Sequence, residues 1–107
     1  MNESMTISNE KELHDFLRGK QRAVVLFGKE GCLRCSIVET VIEGIKKEYP
    51  IISFGFTKDT ALAEPRHIDT YPVLVFYENG AEVGRLIGSD KITRIKNILN
   101  LWFLKDW

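Results

Sequence analysis

Apolar positions along the chain recur with two periods. Ala23-Val24-Val25-Leu26-Phe27 and Val73-Leu74-Val75-Phe76-Tyr77 are continuous runs of strand length, the pattern of strands buried on both faces. Leu13, Phe16 and Leu17 instead recur at three- and four-residue steps, as do Ile37, Val38, Val41, Ile42 and Ile45, which is the spacing of one buried helix face. A last stripe of this kind passes through Ile92, Ile95, Ile98, Leu99, Trp102 and Phe103. Met5 to Ile7 and Ile51 to Phe56 read as two further strands.

The polar residues between these runs predict the boundaries. Ser8 or Asn9 caps the first helix, with Glu12 three residues after Asn9 in capping-box position and Gly19 where the helix stops. Gly28 to Gly31 turns the chain out of the central strand into a second helix that begins close to Cys32 and runs to Tyr49-Pro50. Thr60 to Glu64 predicts a short helix broken near Pro65. Asn79-Gly80 is a two-residue hairpin signal, so Glu82 to Ile87 returns antiparallel and Gly88 closes it. Ser89 or Asp90 caps the final helix. The predicted fold class is α/β, a central mixed sheet of four or five strands flanked by about four helices, with a parallel crossover around the second helix.

The 107 residues match one domain, 1–107, without repeats or linkers. Fifteen basic and fifteen acidic side chains cancel, which leaves no overall field to draw the chain to nucleic acid or an anionic membrane. Apolar runs are far too short to span a bilayer. The start, Met1-Asn2-Glu3-Ser4-Met5, has neither a basic segment nor an apolar signal core, so the expected location is the cytoplasm.

The chemistry concentrates in Cys32-Leu33-Arg34-Cys35. Two cysteines cannot form a secretory disulfide framework, and a Cys-x-x-Cys pair in a reducing compartment is either redox-active or metal-binding, or else an inert buried pair. A structural zinc site needs four ligands, and His14 and His67 are the only histidines that could join. Position favours redox chemistry. A helix N-terminus carries partial positive charge and free N–H groups, so Cys32 is expected to be the more acidic thiol. Lys29 and Arg34 add two cations near it against one anion, Glu30. Cys35, one turn later, is placed to resolve a mixed disulfide held on Cys32.

With these features in order, the chain resembles the thioredoxin superfamily over nearly its whole length. The resemblance is carried by Cys32-Leu33-Arg34-Cys35 at a helix start, Ile68 and Tyr71-Pro72 before a strand, Asn79-Gly80 in the last hairpin and Gly88 after it. It implies a thioredoxin-like fold and thiol–disulfide oxidoreductase activity, with Pro72 as a cis-proline facing the active-site disulfide. The Tyr71 backbone would pair with an extended substrate segment, and Gly31 and Gly88 join it as substrate-contacting positions. No metal or bound organic cofactor is implied. The Cys32–Cys35 disulfide is the working group, protein disulfides are the substrates, and thioredoxin reductase or glutathione is the external reductant.

The chain departs from that family's pattern in three ways. Gly31 stands in place of the tryptophan before the first cysteine, and Leu33-Arg34 in place of Gly-Pro. Leu26 occupies the position of the buried aspartate that relays protons to the second cysteine, with Ser53 where the accompanying lysine is expected. Deprotonation of Cys35 then needs another route, such as water or Glu39.

Two alternatives follow from these departures. Val24 to Cys32 also resembles a glutaredoxin, whose glutathione-contacting lysine Lys29 matches. A redox-sensing module without catalysis, binding a partner through the Tyr71-Pro72 surface, is the other. Leu101, Leu104 and Trp107 lie off the last buried stripe and form a candidate patch for a second subunit, so a monomer or a weak homodimer through the C-terminal aromatic helix is expected.

Overall fold

The first of the two runs predicted to be doubly buried, Ala23 to Phe27, lies in the middle strand of a five-stranded sheet in the computed structural model, which describes residues 5–88 and 94–103, with only the backbone at 102 and 103. In chain order the elements are β1 (Met5–Thr6), α1 (Glu10–Leu17), β2 (Arg22–Phe27), α2 (Leu33–Ile45), β3 (Ser53–Thr57), α3 (Thr60–Ala63), β4 (Val73–Glu78), β5 (Ala81–Ile87) and α4 (Ile95–Phe103). The strands lie side by side in the order β1-β3-β2-β4-β5. β1, β3 and β2 are parallel, whereas β4 and β5 run antiparallel to their neighbours.

Because side chains alternate along a strand, β2 feeds two separate cores. Ala23, Val25 and Phe27 pack with Leu13 and Phe16 of α1 and with Leu62 and Ala63 of α3. Val24 and Leu26 pack with Val38, Ile42 and Ile45 of α2 and with Ile95 and Leu99 of α4. Phe27, Phe54 and Phe76 are almost wholly buried, and truncating any of them to alanine costs about 3–5 kcal/mol.

The local signals set most boundaries. Asn9 Oδ1 accepts the Glu12 N–H at 2.9 Å, while the Glu12 carboxylate accepts the Ser8 N–H at 2.7 Å. The capping box is therefore reciprocal, but it closes one residue outside the cap. Asn79 and Gly80 both take positive φ, 53° and 86°, as a two-residue hairpin with the sheet's twist requires. Gly55 answers a demand that no local signal announces. A Cβ there would lie 2.8 Å from Ile7 Cδ1 and 3.2 Å from Phe16 Cζ, so the missing side chain lets α1 lie against the sheet.

The structure corrects two sequence expectations. β3 begins at Ser53 rather than Ile51, because Ile52 N–H is spent on Tyr49 O in a turn and Ile51 points to solvent. Ile37 is exposed, since the helix buries Cys35, Val38, Ile42 and Ile45 and turns its neighbour away. In the parallel pairing of β2 with β3, Ser53 lies beside Ala23 and Phe56 beside Leu26. In α4, Ile95 and Leu99 are buried and Leu101 is exposed. Ser89, Asp90, Ile92, Leu104 and Trp107 lie outside the described residues, as do the side chains of Trp102 and Phe103. Among the described residues no helix is long and apolar enough to cross a membrane.

Candidate active site

At the carboxyl end of β2 the chain leaves the sheet through Gly28 to Gly31 and enters α2 at Cys32, which is its N-cap. Gly31 has φ 74°, a left-handed conformation that glycine adopts without strain. Cys32 Sγ accepts the Cys35 backbone N–H at 3.1 Å. A sulfur here meets the unpaired N–H groups of the first turn and the positive end of the helix, both of which favour its anionic form once the disulfide is reduced.

Cys32 and Cys35 are joined as a disulfide with their Cα atoms 5.3 Å apart. Cys32 is half-buried, and Cys35 is only 3% exposed. Such a pair has one sulfur that another protein can reach and one that it cannot. Cys35 owes its depth to Gly28, where a Cβ would lie 3.1 Å from Cys35 Cβ and 3.3 Å from its Sγ. Gly28 N–H also donates to Thr57 O at 2.9 Å, fastening the turn to the end of β3.

A cleft of about 380 Å³ opens beside Cys32, lined by Lys29, Glu30, Gly31, Leu33, Ser36 and Lys58. The Lys29 ammonium stands 5.5 Å from the centre of the Tyr71 ring, a cation–π distance, and so ties the turn to the loop before β4. Arg34 is exposed on the first turn of α2. Leu33 is 76% exposed and Ile37 51%, so these two residues present an apolar strip of the helix next to Cys32.

The second wall of the site comes from afar in sequence. The Tyr71–Pro72 peptide bond is cis, Pro72 is buried, and Tyr71 is half-buried. Pro72 O accepts the N–H of Gly88, at 3.1 Å, and Gly88 has φ 94°. The Tyr71 phenol is pushed above its ordinary range, first by burial and then by the negative charges of Glu64 and Asp69. The structure thus brings Gly31, Cys32, Cys35, Lys29, Tyr71, Pro72 and Gly88 to one end of the sheet.

Glu39 does not line the cleft at Cys32. It borders a neighbouring cavity of about 490 Å³ with Glu30, Thr57 and Lys58 among its walls. His14 lines a third cavity with Gln21 and Asn79, at the opposite end of β2. Among the described residues no group of three or more His, Cys, Asp or Glu side chains gathers as a metal site.

Sequence reasoning missed Gly28, Thr57 and Lys58. Gly28 had a weak signal, a glycine between a buried strand and the cysteine motif. Lys58 had none, because only the pairing of β3 with β2 brings it beside Cys32.

The comparisons agree with this geometry. A family model described as Thioredoxin matches residues 4–101. A thioredoxin of Buchnera aphidicola is 29% identical over 90 residues, covering 80% of this chain and 83% of its own. Thioredoxin-3 of Dictyostelium discoideum is 28% identical over 96 residues, covering 87% and 91%. Among solved structures, a mutant thioredoxin of Halobacterium salinarum superposes with a TM-score of 0.82 at 20% identity, covering 94% of this chain and 90% of that one. Thioredoxin O1 of Arabidopsis thaliana in its oxidised state gives 0.79 at 23% identity, covering 94% and 97%.

Proposed function

We propose, for a chain that belongs to the thioredoxin family, that it reduces protein disulfides by dithiol exchange, with Cys32 as the nucleophile and Cys35 as the resolving thiol. The observation that carries this reading is the asymmetry of the bonded pair, with Cys32 reachable at the start of α2 and Cys35 sealed beneath it.

In the reduced protein, Cys32 thiolate attacks one sulfur of a substrate disulfide. That S–S bond breaks, one substrate thiolate leaves, and a mixed disulfide remains on Cys32. Cys35 sulfur then attacks Cys32 Sγ, closing the Cys32–Cys35 disulfide and expelling the second substrate sulfur, on which the Cys35 proton ends. The substrate gains two electrons from the protein and one proton from Cys35, and the first leaving thiolate takes its proton from solvent, which received the one that Cys32 lost on ionising. An external dithiol system, a thioredoxin reductase or glutathione, returns the pair to its reduced form, which fits a reducing cytoplasmic setting.

In this reading Lys29 and Arg34 favour the thiolate by their charge. Gly31, Tyr71, Pro72 and Gly88 form the surface that receives an extended substrate strand. Exposed Leu33 at the rim adds apolar contact to that surface.

The test is reduction of insulin by dithiothreitol, followed as turbidity, with wild type and Cys32→Ser side by side. Wild type is expected to accelerate the reaction and Cys32→Ser to leave it at the uncatalysed rate. Equal activity of the two would overturn the assignment. Supplying electrons through thioredoxin reductase in one arm and glutathione with its reductase in another identifies the donor, and turnover with glutathione alone would move the chain to the glutaredoxin-like reading.

A further inference from the structure

On the face of the sheet away from α2, one arginine collects hydrogen bonds from three elements, α1, α3 and β5, through its side chain and its backbone. Arg66 follows α3 in a short 3₁₀ turn, Glu64–Arg66. Its Nη1 and Nη2 donate to the two carboxylate oxygens of Glu10 at 2.8 and 2.9 Å, a fork-on-fork pair between segments 56 residues apart. Nη1 also donates to Leu62 O at 2.8 Å. The backbone of Arg66 is held as well, since its carbonyl accepts Arg85 Nη2 of β5 at 2.6 Å. Arg85 is itself paired with Glu82.

What this clasp holds is the segment that leads to the site. Immediately after Arg66 the chain takes a left-handed turn at His67, φ 61°. It drops Ile68 into the α1/α3 core, with Ile68 N–H donating to Ala63 O at 3.1 Å. Three residues later come Tyr71 and Pro72, whose far end is fastened by Gly88 N–H to Pro72 O.

We propose that Arg66 is a positioning residue for the substrate-receiving strand, holding the path from Ile68 to Pro72 in register with Cys32 through its paired contact with Glu10 and its carbonyl contact with Arg85. The proposal rests on the reading in which Tyr71 and Pro72 receive substrate. It assigns the clasp to recognition of a protein segment and not to the sulfur chemistry, because none of its groups lines the cleft at Cys32.

Two variants test it, Glu10→Gln, which keeps shape and removes the charge of an exposed side chain, and Arg66→Met. Each is measured against insulin and against a small aromatic disulfide that has no peptide strand to pair. The exchange rate of the Ile68 amide hydrogen is measured in the same proteins. The expected result is a KM for insulin raised about three- to fivefold, the range of a partly exposed bidentate pair. kcat and the rate with the small disulfide stay within about twofold of wild type, and Ile68 exchanges faster. Equal losses on both disulfides, an unchanged KM for insulin, or Ile68 exchange at the wild-type rate would overturn the clasp. Failure of wild type itself to reduce either disulfide would sink the oxidoreductase reading instead, and Ile68 exchange would still decide whether Glu10 and Arg66 order the segment.

Discussion

The two walls of the candidate site are built differently. The cysteine wall, Gly28 to Ser36, is one uninterrupted strand–turn–helix passage, and its contacts are mostly local, such as Cys35 N–H to Cys32 Sγ and Ser36 N–H to Cys32 O. The opposing wall, Tyr71, Pro72 and Gly88, is assembled from residues that meet because β4 pairs with β5, and the proposed clasp adds the contact of Arg66 with Glu10. A wall made of local contacts is as stable as its own turn and helix cap. A wall made of long-range contacts depends on α1, α3 and β5 all being in place.

This contrast can be broken most sharply at the first wall. Cys35→Ser leaves the nucleophile and removes the resolving sulfur, so incubation with a disulfide substrate is expected to accumulate a mixed disulfide on Cys32 that wild type does not hold. Intact-mass measurement reads it directly, and its absence would remove Cys32 from its assigned role.

A methyl group tests the packing beneath that wall. Gly28→Ala places a carbon within about the contact distance of Cys35 that crowds it, and is expected to cost about 1–3 kcal/mol in chemical denaturation. A comparable loss is not expected from Gly44→Ala, where a Cβ meets nothing within 4 Å and the helix gains propensity.

The second wall is sharpened through α1. Asn9→Ala removes the cap that accepts the Glu12 N–H, with an expected loss of about 1 kcal/mol. Faster hydrogen exchange is then expected in α1 and in the segment held by Glu10, with α2 unaffected. Uniform acceleration over both helices would deny that the walls are independent.

The smallest effect is electrostatic. The Arg66 guanidinium holds the Glu10 carboxyl below the usual carboxylate range, mainly by hydrogen bonding. Lys11 and Arg18 do the same for Asp15. A carboxyl lowered by folding contributes stability that is present above its unfolded pKa and is lost as pH falls through the folded one. Stability is therefore expected to fall on acidification below the ordinary carboxylate range. The Glu10 part should disappear in Arg66→Met and shrink in high salt, since these groups face solvent. Thermal melting between neutral and acid pH checks both.

Much of the molecule was already legible in its residues, for a physical reason that is the same throughout. Continuous apolar runs, the Asn9 cap, the Asn79-Gly80 turn and the Cys32 helix start are decided by neighbours within a few positions, and short-range sterics and hydrogen bonding act on any chain that carries them. The cysteine pair and its place at a helix N-terminus belong to that class. Where a strand begins within an apolar stretch does not, and Ile51 shows it, because only the turn at Tyr49 spends the backbone groups that a strand would need.

The order of strands, the pairing of Leu26 with Phe56, the approach of Lys58 to Cys32 and the grip of Glu10 on Arg66 were decided by the tertiary structure alone. These are agreements between residues tens of positions apart, and no residue carries in its own neighbourhood the identity of the one it will meet. Sequence by itself therefore determined where the cysteine pair lies and how it is locally presented. Folding of the whole chain decided what stands opposite it, because register and packing are properties of pairs of elements and not of either element alone.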